Sequence, residues 1–282
     1  MTSFKSIFDH FNLPFVKQRS IQVLRWGVLL FFVVDVFQRC FMLDICYGPQ
    51  KISPPLNQRG LSNYLLNGLD EGGIGLAITI MTVLVICLIG AILTSYKRTF
   101  TFIAFFAAAN LVNSTYLLNS GGHHLMLIVL FFLGFINERE TKAGNWSNAL
   151  NKGAVLAIQI QVCMVYFVSA LYKLLGDSWM EGSAIWHSLM LEEYSLPIMN
   201  QLIDESNFVF IFMTYFLLAF QLLFPILIWL RATRKWILIL GLCIHAFIAI
   251  GLGLLDFGLA MIAAYAVFDE SICFKLFRNR SC

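Results

Sequence analysis

Gln161–Gly182 reads QVCMVYFVSALYKLLGDSWMEG. It begins as the second half of an apolar helix and sets a lysine, Lys173, near the helix end. A short acidic turn follows, Gly176-Asp177-Ser178, then Trp179 and the pair Glu181-Gly182. Apolar runs of this kind recur along the chain and decide its fold class. An amine at the edge of hydrocarbon is costly. Either Lys173 snorkels, with its stem on apolar surface and its head among lipid headgroups, or it has a chemical role.

Apolar residues make up 59% of the chain and charged residues 12%. A soluble domain averages about half apolar and roughly a quarter charged. Several runs approach or exceed the roughly 20 apolar residues that cross a bilayer. The expected fold is all-α: a polytopic transmembrane helical bundle of about eight spans, with the lipid bilayer as its main partner. The spans are Ile21–Met42, Ile74–Tyr96, Phe100–Leu118, Leu125–Asn137, Gly153–Leu175, Phe208–Leu230, Trp236–Leu255 and Phe257–Phe268. A cytoplasmic N-terminal segment, 1–20, precedes this domain, 21–268, and a cytoplasmic basic tail, 269–282, follows it. Leu43–Gly73, with Pro49, Pro54 and Pro55, reads as a loop.

A net charge of +3 without a basic block excludes nucleic acid as a partner. The five histidines have no metal-ligand spacing, so no metal site is expected. The seven cysteines include no C-x-x-C pair; Cys40 and Cys46 are placed to form a disulfide in an oxidising compartment. Lys and Arg set the orientation. With the N-terminus inside, the outside segments carry only Arg39, Lys51, Arg59 and Lys173 of the nineteen basic residues. The expectation is N-in and C-in.

Polar residues inside spans are the candidates for function. Gln159, Tyr166 and Lys173 recur every seven residues, two helical turns, and Ser169 shares their face. Asp35 and Arg39, four apart, form an expected structural ion pair. Asn110, Asn113 and Ser114 are expected to hydrogen-bond neighbouring helices, as is His245 in the seventh span. His123 and His124 follow the turn Asn119–Gly122. In the N-in topology that turn lies outside, on the same leaflet as Lys173.

The run Gln159–Ser188, QIQVCMVYFVSALYKLLGDSWMEGSAIWHS, resembles the signature of the HTTM proteins, whose membrane module is shared with vitamin K-dependent gamma-carboxylase. The shared pattern is a Gln-rich apolar run, Tyr-Phe, a small residue, a Lys, a short turn, Trp and an acid-Gly pair. Asn119–Asn137, and Arg231–Phe268 with Arg234, Gly241, His245 and Phe257, resemble other parts of the family. The resemblance implies a bacterial cytoplasmic-membrane protein. It makes Lys173 an amine base, paired with His123 or His124; His123 follows the Gly pair directly and is the better match. In the carboxylase such a lysine deprotonates vitamin K hydroquinone. The oxygenated quinone then takes a proton from a glutamate side chain, which captures carbon dioxide. A buried amine loses its charge more easily and can act as a base. Gln159, Tyr166, Trp179, Glu181, Gly182 and His245 would support the site.

The chain ends soon after the last apolar run, so the expectation is a module without the carboxylase's large substrate-binding domain. Two functions stay open. One is a membrane enzyme using Lys173 and a histidine on a quinone-like or lipid-like substrate, with a quinone as the implied cofactor. The other is a non-catalytic membrane factor in maturation or export of a secreted peptide, because some relatives accompany genes for peptide toxins.

Overall fold

The computed structural model describes residues 18–49, 68–138, 146–191 and 208–268. All regular elements among them are helical. They are α1 (Gln18–Phe41), α2 (Leu43–Tyr47), α3 (Gly68–Leu93), α4 (Lys97–Ser114), a 3-10 turn (Tyr116–Leu118), α5 (Gly121–Phe135), α6 (Trp146–Leu174), α7 (Asp177–Met180), α8 (Ala184–Met190), α9 (Phe208–Leu227), α10 (Arg231–Gly251), α11 (Leu255–Ala264) and a closing 3-10 turn (Tyr265–Val267).

Each expected span coincides with a helix, but they differ in reach. Five are long and apolar enough to cross a bilayer: α1, α3 from Gly73, α6, α9 and α10. Gly121–Phe135 and Leu255–Val267 are shorter apolar helices. At about 1.5 Å per residue they fall short of a hydrocarbon core about 30 Å thick. α4 is 18 residues long and starts on Lys97 and Arg98. The chain is thus a multi-pass membrane protein. Its long apolar side chains, such as Phe37, Phe41, Leu93, Phe212 and Ile226, are exposed. Lipid, as apolar as these side chains, is the natural solvent for such a surface.

Part of the expected loop at Leu43–Gly73 is helical. α2 forms directly after α1, and α3 starts at Gly68, with its helical path broken at Gly73, φ 58°. Residues 50–67 lie outside the described residues, as do 1–17 of the N-terminal segment, residues 139–145 and 192–207, and the basic tail.

The chain forms two compact units, Met1–Ile158 and Gln159–Cys282, with the boundary inside α6. In the first unit α3 packs on α4, α4 on α5, and α1 on α3. The buried face of α4 is mostly small: Thr101, Ala104, Ala107 and Ala108, with Leu111 and Val112. Small residues let membrane helices approach closely where no hydrophobic effect drives them together. One acid gathers the charged ends. Glu138 accepts from Arg25 Nε at 3.0 Å and pairs with Lys97, while its carbonyl accepts from Gln18 at 2.9 Å. Arg25 also donates to Thr101 Oγ1 at 2.7 Å. In the second unit α10 packs on α11, and α9 receives α7 and α8.

Arg25 is 3% exposed. Removing one partner of a buried ion pair costs about 3–5 kcal/mol, because a charge is left uncompensated. Glu138→Ala should therefore lower the thermal midpoint of the detergent-purified protein clearly. Glu181→Ala, at an exposed acid, should leave it nearly unchanged. Equal midpoints for the two variants would refute the clamp.

Candidate functional site

The polar stripe of α6 faces inward along the second unit. Gln159 Nε2 donates to the Val267 carbonyl at 3.0 Å. Tyr166 is buried, with its hydroxyl 2.6 Å from His245 Nε2 and in hydrogen-bond contact with the Tyr265 hydroxyl. Its ring stacks on Phe224 with centroids 4.0 Å apart. His245 therefore does bond a neighbouring helix, as its mid-span position predicts. Gly241 makes room for this group, since a Cβ there would strike the Tyr265 hydroxyl.

Lys173 ends the stripe. Its ammonium donates to Ser169 Oγ, one turn back, at 2.8 Å and lies 4.9 Å from the centroid of the Trp179 ring. Among the described residues no carboxylate forms an ion pair with it. Beside it is a cavity of about 190 Å³ whose walls include Ser169, Lys173, Trp179, Gln221, His245 and Ile248. The remaining walls are mostly apolar side chains from α6, α8, α9, α10 and α11. The amine thus opens onto an apolar space, held by one hydroxyl and one aromatic face.

The segment after Lys173 explains two of the motif residues. Gly176 caps the start of α7, whose Trp179 folds back over the lysine. Gly182 has φ 82°, a left-handed conformation open mainly to glycine, and a Cβ there would lie 2.9 Å from Ile211 Cγ2. Tyr215 donates to the Met180 carbonyl at 2.7 Å and fixes the same turn on α9. Glu181 is exposed, and its backbone N–H donates to the Asp177 carbonyl at 2.8 Å.

The two histidines belong to the first unit and differ sharply: His123 is buried and His124 exposed. His123 completes a capping box at the start of α5. Ser120 accepts from the Gly122 N–H, and His123 Nδ1 accepts from the Ser120 N–H at 3.0 Å. This is the role usually taken by Glu or Gln three residues into a helix. With Nδ1 accepting, the proton sits on Nε2, which donates to Asp35 Oδ1 at 3.0 Å. Asp35 also accepts from Arg39 Nε at 2.8 Å. Arg39 continues to Tyr47 at 3.1 Å, to Thr115, and to Asn119 at 2.9 Å.

The sequence reading left out Asp35 as the partner of His123, and Tyr265 and Gln221 as part of the lysine unit. Charge inside a span was the available signal for Asp35; Tyr265 offered none. Two expectations change. Asn110 bonds a carbonyl of its own helix at 2.8 Å; Ser114 donates within its helix at 2.9 Å but also pairs with Tyr47 on α2, as its place in the span predicts. Cys40 and Cys46 are free thiols, one exposed and one buried. No cluster of metal-ligating side chains occurs among the described residues.

Over 206 residues the chain is 27% identical to the sporulation-delaying protein SdpB of Bacillus subtilis (strain 168), a match covering 67% of this chain and 63% of that protein. The chain therefore spans less than two thirds of that relative's length. No family model matches the chain, and no solved structure matches it.

Gly182→Ala should destabilise the second unit, since left-handed backbone alone costs an alanine about 1–2 kcal/mol before the clash with Ile211. Gly176→Ala should be tolerated: φ there is −99° and the nearest contact of a Cβ is 3.4 Å away. Folded yield after size-exclusion chromatography in detergent separates the two.

Proposed function

We propose that this chain is an HTTM-type integral membrane protein whose second unit holds a lysine-centred site for a quinone-like or lipid-like substrate. The observation that carries this reading is the amine of Lys173, without a carboxylate partner among the described residues, beside an apolar cavity of about 190 Å³. A snorkelling lysine needs no cavity and no aromatic cover, whereas a base needs both desolvation and room for a substrate. The size also discriminates. An apolar cavity of about 150 Å³ admits benzene, so this one suits a single substituted ring or the end of a chain, not a peptide. Lys173 is then the base, Ser169 and Trp179 orient its amine, and His123 with Asp35 and Arg39 forms a second polar centre in the first unit. A quinone, when bound, would supply redox chemistry that this chain's own residues lack.

The second reading is a membrane factor in maturation or export of a secreted peptide. The likeness to a protein named for an effect on sporulation, rather than for a reaction, favours it. Complementation of a deletion strain separates the two. Lys173→Met keeps the stem and removes the base; Lys173→Arg keeps a charge that does not dissociate. Under the enzyme reading both variants accumulate in the membrane and neither restores the deletion phenotype. Full complementation by Lys173→Met would leave the peptide factor as the function.

The proposed arrangement is eight membrane segments, N-in and C-in, in the bacterial cytoplasmic membrane. In a background without native cysteines, Leu118→Cys and Glu181→Cys should react with an impermeant maleimide on intact cells. Tyr96→Cys should react only after permeabilisation. The opposite pattern would invert the orientation.

A further inference from the structure

The cavity beside Lys173 contains a second polar feature that the lysine chemistry does not use. His245 is 3% exposed and lines the cavity, and its Nδ1 has no hydrogen-bond partner among the described residues. Gln221 lines the same cavity, and its Oε1 is likewise buried and unpartnered. Buried polar atoms in a membrane protein are ordinarily satisfied, and one left bare costs about 1–3 kcal/mol. Two bare atoms on one small cavity mark a place where a ligand supplies the missing bonds.

The hydroxyl relay favours one direction of donation. Tyr265, Tyr166 and His245 Nε2 form a chain with one proton per link. If Nε2 carried the proton, the relay would run outward and strand the Tyr265 proton without an acceptor, beside a bare Nδ1. If Tyr265 donates to Tyr166 and Tyr166 donates to Nε2, both hydroxyl protons are accepted, and the one unaccepted proton is the ring's own. That proton is on Nδ1. The cavity therefore presents an N–H donor from α10 and an amide-oxygen acceptor from α9. Pro225, one turn beyond Gln221 on α9, has no N–H to donate to the Gln221 backbone carbonyl, which adds acceptor character to the same helix segment.

We propose that His245 and Gln221 form a ligand-orienting subsite for the hydroxyl group of a ring-sized apolar molecule, with Tyr166 and Tyr265 as positioning residues that hold His245 as a donor. One ligand hydroxyl has the complementary chemistry for both atoms: its oxygen accepts from His245 Nδ1–H, and its proton goes to Gln221 Oε1. A cationic head fits poorly, because no acid lines the cavity and Lys173 does. The subsite deepens the function proposed above and rests on the cavity being the functional one, but it makes its own demand on ligand chemistry.

The test is photolabelling of the full-length protein in lipid nanodiscs with two probes of nearly equal size, 4-azidophenol and phenyl azide, mapped by peptide mass spectrometry. 4-Azidophenol should label cavity walls such as Ile248, and phenyl azide should label them about tenfold less, the equivalent of one hydrogen bond. The two amide replacements of the histidine then separate binding from structure. Asparagine places its amide near the position of Nδ1, and glutamine near that of Nε2. His245→Asn should keep phenol labelling within about twofold of the native protein, and His245→Gln should lose about tenfold. A purely structural histidine gives the reverse order, because glutamine preserves the bond to Tyr166. Gln221→Leu should also lose phenol labelling while leaving phenyl azide labelling unchanged.

Equal labelling of the native cavity by both probes would mean that only resident water satisfies the bare atoms, and would overturn the subsite. Loss in His245→Asn with retention in His245→Gln would overturn it as well. Lys173→Met should keep phenol labelling, since the anchor is separate from the base. If labelling behaves as expected while Lys173→Met complements fully, the lysine chemistry falls and the subsite stands.

Discussion

One guanidinium organises the first unit. Arg39 reaches Asp35 on its own helix, Tyr47 on α2, and Thr115 and Asn119 beyond the end of α4. Arg39 is 4% exposed, and a guanidinium buried away from water needs an acceptor from each neighbouring segment. The bend after α1, the end of α4 and the start of α5 all do so. His123 then closes the circuit by donating to Asp35 while capping α5. A charge that is expensive alone has become the reason these segments meet at one depth.

The second unit meets the same constraint with neutral groups. Tyr265, Tyr166 and His245 share protons in a line, and aromatic rings rather than counter-ions surround them: Phe224 lies against Tyr166 and Tyr265, and Phe257 against His245. Such a relay is directional, so a choice of tautomer at one end sets what the other end presents. Lys173 stands outside the relay, tethered to Ser169 and covered by Trp179. The difference between the units is chemical: one is held together by charge, and the other by neutral groups beside an open space.

Much of this was legible in the sequence, and the legible part was the local part. Apolar runs located the helices, four-residue spacing located Asp35 with Arg39, and seven-residue spacing aligned Gln159, Tyr166 and Lys173. Span length was harder to read. Leu125–Asn137 and Phe257–Phe268 read as full spans, and their helices are shorter than the bilayer core, because apolarity does not report helix length. Partnership across the chain was not legible at all. Asp35 and His123 are 88 residues apart, and nothing in either neighbourhood names the other. Asn110 reads as inter-helix glue, but its amide bonds a carbonyl one turn back on the same helix. The acid-Gly pair after Trp179 was visible as a motif, while its physical meaning, a left-handed turn pressed on α9, needed coordinates.

The double duty of His123 constrains how this sequence can drift. The helix start needs an acceptor at that position, and several residues supply one: aspartate, glutamate, asparagine or glutamine. The other ring nitrogen, however, feeds Asp35. An acid at position 123 would keep the cap and set two carboxylates against each other around a single arginine. Positions 35 and 123 are therefore one heritable character rather than two. A lineage that exchanges the histidine for an acid must neutralise position 35 in the same interval, or pass through the amides, which satisfy both neighbours without charge.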